Sequence, residues 1–252
     1  MYVQPRFIVD PSACFFYHTI DVPTVGLCRG QWDLRGRFEE YIGNVPVSGR
    51  RVLDVGCGTG FLSFSAEQAG ASEVVSFDMD DARRQHWLPF QHKLPYTNPE
   101  EFRRQHNAWI ERWHNGYWFC HRLLESQARV VHGDVYDLPQ ALGSFDVVIV
   151  GSILEHLSDP IRALASIARL AGGRMAIVTP LLDTEEKVAR FDGDADRPDA
   201  DYVWWTYSVG TYRHVLRMLG FEIERITTGR YWFELGETYG ERSTIVAMRH
   251  DA

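Results

Sequence analysis

The chain has 252 residues, 45% of them hydrophobic and 24% charged, with a formal net charge of −8. Those values fit one α/β domain with additions and exclude a disordered or fibrous chain. The acidic balance disfavours a broad phosphate-binding surface, because nucleic-acid affinity draws on clustered Lys and Arg, and no apolar run approaches the length of a membrane span.

The first ten residues lack a basic segment followed by a long apolar stretch, so no secretory signal is expected and a cytoplasmic location follows. Cys14, Cys28, Cys57 and Cys120 show no C-x-x-C spacing and are expected to be reduced, structural thiols. Residues 1–49 carry Phe15-Phe16-Tyr17-His18 and Gly30-Gln31-Trp32-Asp33-Leu34-Arg35 without a sustained period. They form an N-terminal extension, either a lid over a ligand or a segment that only buries apolar surface. Pro46, Ser48 and Gly49 mark the boundary to a domain over 50–252.

That domain opens on Arg51-Val52-Leu53-Asp54-Val55-Gly56-Cys57-Gly58-Thr59-Gly60-Phe61-Leu62. A short buried strand ends in a glycine turn that enters a helix, where backbone can approach a ligand closely and free N–H groups carry partial positive charge. A dinucleotide fingerprint is G-x-G-x-x-G, but here an acid precedes three alternating glycines. Asp54 would repel a pyrophosphate and suits an ammonium, met directly or through water. The segment resembles motif I of class I S-adenosylmethionine-dependent methyltransferases. That resemblance implies a Rossmann-like α/β fold, a seven-stranded mostly parallel sheet with helices on both faces. It also implies that Gly56, Cys57, Gly58 and Gly60 underlie the methionine portion and ribose of S-adenosylmethionine, with Asp54 near its amino group.

Glu73–Phe77 reads as strand two and stops at Asp78-Met79. Asp78 lies about twenty residues past the turn, where such a βαβ unit places an acid for a ribose diol. Met79 is placed to pack on the adenine ring. Residues 82–127 hold more chain than a crossover needs and include a helical insertion between strands two and three. Pro89, Pro95 and Pro99 break its first half; Phe102, His106, Trp109, Ile110 and Trp113 then fall at helical spacing, which reads as a core stripe. Asn115-Gly116 is expected to interrupt it before a second helix with Tyr117, Cys120, His121 and Leu124 on one face. Its histidines have no metal-ligand spacing, and no metal is expected.

Ala128–His132 is strand three. The following Asp134 and Val135 are similar to the family's adenine-binding pair, which implies that Asp134 accepts from the adenine amino group and Val135 reaches the ring through its backbone. Strand four, Phe145–Val150, leads to Gly151 and Leu154-Glu155-His156-Leu157-Ser158-Asp159-Pro160, which resembles small-molecule methyltransferases. The carboxyl end of a central strand faces the ligand crevice, so Gly151 is assigned to the cofactor. His156 is the first candidate base and His18 the second. Ser158 or Asp159 caps a helix whose inner face is Ile161, Leu164, Ala165 and Ala168.

Strand five, Arg174–Thr179, is followed by a polar segment to Asp201 in which Asp192, Asp194 and Asp196 alternate without completing a calcium loop. A helix with Tyr212, Val215, Leu216 and Leu219 and two strands, Phe221–Ile226 and Ser243–Met248, close the chain, with Tyr231-Trp232-Phe233 between them as a further substrate wall. Trp32, Arg35, His121 and Trp205 are the candidate acceptor contacts. The Gly30–Arg35 segment is also similar to the tRNA wobble-uridine carboxymethyltransferase branch, but that branch's cofactor-carboxylate lysines find no match. The expected partner is a small-molecule acceptor, with no nucleic acid and no membrane. The alternatives are a transferase acting on tRNA wobble uridine and a non-catalytic cofactor-binding module.

Overall fold

The computed structural model describes residues 1–88, 97–197 and 202–250. Pro89, Pro95 and Asp201 lie outside the described residues.

In chain order, a hairpin of β1 (Ile20–Val22) and β2 (Gly26–Cys28) precedes a two-residue strand β3 (Trp32–Asp33) and the single turn α1 (Phe38–Tyr41). β4 (Arg51–Val55), α2 (Phe61–Gln68) and β5 (Glu73–Asp78) form the first βαβ unit, and α3 (Pro99–Leu123) leads to β6 (Arg129–His132). β7 (Phe145–Gly151), α4 (Pro160–Ala168) and β8 (Ala171–Thr179) form the second. The short strands β9 (Leu181–Leu182), β10 (Ala189–Phe191) and β11 (Trp205–Ser208) make a separate small sheet before α5 (Val209–Met218) and the hairpin β12 (Phe221–Phe233) and β13 (Thr238–Arg249).

The main sheet runs β3-β12-β13-β8-β7-β4-β5-β6. From β8 to β6 its neighbours pair in parallel, and β13 is antiparallel to both β8 and β12. Both faces are covered, so successive residues of the central strands alternate between two cores. Val52, Val74, Val130, Val147 and Ile149 meet α1, α2 and the C-terminal half of α3. Leu53, Val55, Val75, Phe77, Val148 and Val150 meet α4 and α5. Continuous apolar runs are what a doubly covered parallel sheet requires. The chain steps outward from β4 to β6 and returns at β7, so the β4/β7 boundary is the topological switch point where such sheets open a crevice.

Four expectations change. The sheet has eight strands, because β3 of the extension pairs with the end of β12 (Trp232↔Asp33, Phe233↔Trp32). The final hairpin is twice the expected length and takes in Tyr231-Trp232-Phe233, which pack on Tyr41, Tyr239 and Trp32 rather than on a cavity. α3 is one helix of 25 residues, started by the Asn98 cap and Pro99 and not interrupted at Gly116. A Cβ at Gly116 would lie 2.2 Å from the Phe15 carbonyl oxygen, so this glycine admits the crossing N-terminal segment instead of ending the helix. In α4, capped by Asp159, the inner face is Ala163, Leu164, Ile167 and Ala168, while Ile161 is 42% exposed.

Candidate functional site

The turn after β4 is shaped by three glycines with positive φ, 74° at Gly56, 56° at Gly58 and 89° at Gly60. A Cβ on Gly56 would come within 2.4 Å of Ile153, so only glycine lets the β4 and β7 loops approach. Gly56 and Gly58 face a cavity of about 500 Å³ at the switch point. Gly60 caps α2 and faces Phe64 and Tyr117 instead. Cys57 is buried with its Sγ 3.8 Å from Asp78 Oδ2 and does not reach the wall.

Asp54 is not on the wall either. It is fully buried beneath the turn, accepting from the Ser63 hydroxyl at 2.6 Å, and Ser76 joins Ser63 to the Tyr117 hydroxyl. Burial raises its carboxyl to about 7. Asp54 therefore lies behind the glycines and does not itself face the cavity.

Asp78, at the end of β5, does line the cavity. Its Oδ2 accepts from the Gly58 N–H at 2.7 Å and its Oδ1 from the Met79 N–H at 2.8 Å. Burial pushes its carboxyl up, against the charge of His114. Oδ2 also takes the weak Cys57 thiol donor, so Oδ1 keeps an open acceptor site and a diol's second hydroxyl would compete with that thiol at Oδ2. Met79, Gly133 and Val135 form the wall beyond it, with Met79's carbonyl fixed by His114 Nε2 at 3.0 Å. Asp134 departs from expectation: it is off the wall, and its Oδ1 is engaged by His86 Nε2 at 2.7 Å and the Tyr136 N–H at 2.8 Å.

Across from the glycines the cavity is aromatic. His106, Trp109, Ile110 and Trp113 of α3 line it, whereas Tyr117, Trp118, Phe119 and Cys120 of the same helix are core. Four residues of the stripe read as core, His106, Trp109, Ile110 and Trp113, thus line the cavity, because α3 overhangs the sheet. Tyr17 stacks on Trp113 (centroids 5.8 Å apart, planes 28°), and Trp87 stacks on Tyr202 (4.0 Å, 14°). The N-terminal segment is tied down beside them. The Tyr17 N–H donates to Thr59 Oγ1 at 3.2 Å and the Phe15 N–H to the Arg112 carbonyl at 2.9 Å.

Gly151, Ser152, Ile153 and His156 form the side contributed by the β7 loop. His156 Nδ1 is 2.8 Å from the Tyr202 carbonyl oxygen, which can only accept. Nδ1 therefore carries a proton, which leaves Nε2 as the ring nitrogen that can act as a base. His18 also lines the cavity, and burial without a partner for Nδ1 pulls it down to about 3, so it is a neutral imidazole.

Three expected acceptor contacts are elsewhere. Arg35 is spent on Asp21 and Asp33 at the surface. His121 donates from Nε2 to the Ala128 carbonyl at 3.0 Å among core aromatics. Trp205 sits in the small sheet and donates to the Ser158 carbonyl at 3.3 Å. Trp32 stays close, lining a recess beside His18 and His156.

Among the described residues, six buried side-chain polar atoms have no hydrogen-bond partner: His18 Nδ1, Asp54 Oδ1, Gln85 Oε1, Trp113 Nε1 and both carboxylate oxygens of Glu155. His18, Gln85 and Trp113 are on the cavity wall, Asp54 lies under its floor, and Glu155 adjoins His156. Buried polar groups are ordinarily paired, so their concentration here marks a surface built for a polar ligand. Trp113 Nε1 lies 3.1 Å from where a Cβ on Gly58 would be, an N–H donor directly above the glycine turn. Sequence periodicity places Trp113 on the right helix face but carries no sign that the face meets a cavity.

A sequence model of the family described as methyltransferase domain matches residues 33–226. A tRNA U34 carboxymethyltransferase from Stutzerimonas stutzeri (strain A1501) is 25% identical over 195 residues, 76% of this chain and 51% of that one. The chain spans about half the length of the curated relatives it matches. Magnesium protoporphyrin IX methyltransferase from Synechocystis PCC 6803 with bound S-adenosylmethionine superposes with a TM-score of 0.51 at 18% identity, over 84% of this chain and 76% of that one. An S-adenosylmethionine dependent methyltransferase from Mesorhizobium loti gives 0.51 at 18% identity, over 86% and 100%. At these identities the structural likeness is one of fold.

Proposed function

The chain belongs to the methyltransferase-domain family, and on that premise we propose that it carries a methyl group from S-adenosylmethionine to an oxygen or nitrogen of a small-molecule acceptor. The observation that supports this most is the cavity of about 500 Å³ at the switch point. It has a glycine floor, one acid facing in from β5, and an aromatic wall opposite. Volumes of this order suit ligands of small-molecule size, largely enclosed by apolar lining with a few placed polar groups.

The residues present fit the cofactor. Asp78 would hold a ribose diol through the open site on Oδ1 and by displacing the weak Cys57 thiol from Oδ2. Met79 and Val135 offer the surfaces that flank an adenine, and Trp113 Nε1 above Gly58 is a donor for the methionine carboxylate. When bound, the cofactor would supply an electrophilic sulfonium methyl, with a neutral thioether as its leaving group. The protein's share is alignment, which can provide up to about 7–11 kcal/mol in well-oriented systems. Trp113 and Tyr17 would shield the reacting centre on its aromatic side. His156 is held in one tautomer by the Tyr202 carbonyl, so Nε2 is the group that takes the proton the acceptor gives up.

The test is incubation with methyl-labelled cofactor together with a metabolite extract and bulk tRNA. Label in a small molecule is expected. Label in tRNA favours a transferase acting on tRNA, and binding without transfer favours a non-catalytic module.

A further inference from the structure

Beside His18 and His156 the cavity continues into a recess of about 20 Å³, room for one water-sized or carboxylate-sized group. Tyr17, His18, Ser152 and His156 are common to both walls, so the recess opens from the side of the cavity that holds the candidate base. Trp32, Leu34, Tyr41 and Arg242 complete it. Arg242 comes from β13, and its guanidinium carbon lies 4.8 Å from the centre of the Trp32 ring. Its other contact among the described residues is a hydrogen bond from Nη1 to the Glu241 carbonyl at 2.8 Å, and neither partner is a carboxylate. Arg84, the arginine on the wall of the main cavity, is by contrast paired with Asp80 at 2.6 Å.

Two hydroxyls converge on the same recess. Tyr41 and Ser152 are 3.2 Å apart, and Ser152 is held at a φ of 52°, a left-handed conformation that non-glycine residues adopt where the surrounding structure demands it. The buried Glu155 carboxylate is not on this wall, yet it acts on Tyr17 and Tyr41 in the opposite sense to Arg242. Anion selectivity must therefore come from direct contact with the guanidinium, not from the average field of the pocket.

We propose that this recess seats a carboxylate of the acceptor, held by Arg242 over Trp32, so that the substrates are small organic acids. The planar guanidinium fork matches a carboxylate with two parallel N–H···O bonds, and the Trp32 face fixes the plane in which the fork is presented. The Tyr41 and Ser152 hydroxyls lie beside it, and since one donates to the other, the second is left as a further donor. This inference rests on the methyl-transfer reading.

The experiment titrates benzoate against benzamide, and 1-naphthoate against 1-naphthamide, into the protein saturated with S-adenosylhomocysteine. At least one acid binds about tenfold or more tighter than its amide. Arg242→Gln makes the pair equal, and Arg242→Lys keeps part of the preference. The proposal is overturned if neither acid binds, if acid and amide bind alike, or if the preference survives Arg242→Gln. S-adenosylhomocysteine affinity is read in the same samples. Its retention in Arg242→Gln shows that the variant is folded, and its absence in the wild type counts against methyl transfer itself, separately from the recess.

Discussion

Asp54 has one carboxylate oxygen on Ser63 and the other without a partner, deep under the glycine turn. With its carboxyl raised to about 7 by burial, the folded chain holds a proton that the unfolded chain has already lost above about 4. The folded state binds more protons in that window, so this group's contribution to stability falls as pH rises from about 4 to about 7. His18, pulled down to about 3, acts in the opposite direction, but it is common to wild type and variant and cancels in their difference. The stability of wild type minus that of Asp54→Asn should therefore decline across pH 4 to 8, by at most about 1.4 kcal/mol for each step of one in pH. Denaturant titrations at several pH values check this, and a flat difference contradicts it. At His156 the expectation is kinetic. With an acceptor in hand, His156→Ala should lower the single-turnover rate by about a hundredfold or more while S-adenosylhomocysteine binding persists. An unchanged rate removes it from the chemistry. Asp78 is legible in the sequence because a βαβ unit fixes its distance from the turn. Asp134 is not, because the sequence cannot show His86 taking its oxygen, and Arg242 is invisible because nothing in a lone charge on a terminal strand reports what faces it.

The elements follow the same logic. Strand and helix identities in the βα units come from local apolar patterning, which both faces of the sheet reinforce. Gly116 misleads because a glycine chosen for a close backbone crossing looks, in sequence, like a helix stop. The two roles predict opposite signs. In an open helix interior, Gly→Ala stabilises by about 1 kcal/mol. At Gly116 the added carbon meets the Phe15 carbonyl, so Gly116→Ala should lower stability by about 1–3 kcal/mol and loosen residues 13–18. Thermal melts and amide hydrogen exchange of the N-terminal segment read both effects, and a stabilised variant would show that the crossing does not constrain the helix. The final hairpin looks shorter in sequence than it is because Thr227–Arg230 and Thr238–Arg242 are polar, while their pairing partners lie in the adjacent strand and not along the chain.

Across the whole molecule, the order of glycine turn, Asp78 and the β7 loop is enough to identify the architecture, since these lie at the ends of neighbouring strands. What sequence cannot supply is the far side of the cavity. Tyr17, Trp87, Trp113 and Tyr202 arrive from separate parts of the chain and meet only through the tertiary fold. No described helix is long and apolar enough to cross a membrane. The central claim is that this cavity holds S-adenosylmethionine with Asp78 as the ribose anchor. A charge-assisted hydrogen bond is worth about 1.5–3 kcal/mol, and a diol makes two. Calorimetric titration of S-adenosylhomocysteine should give saturable binding to wild type and binding weaker by roughly two to three powers of ten to Asp78→Ala. Equal affinity in the two proteins, or no binding to wild type, would contradict it.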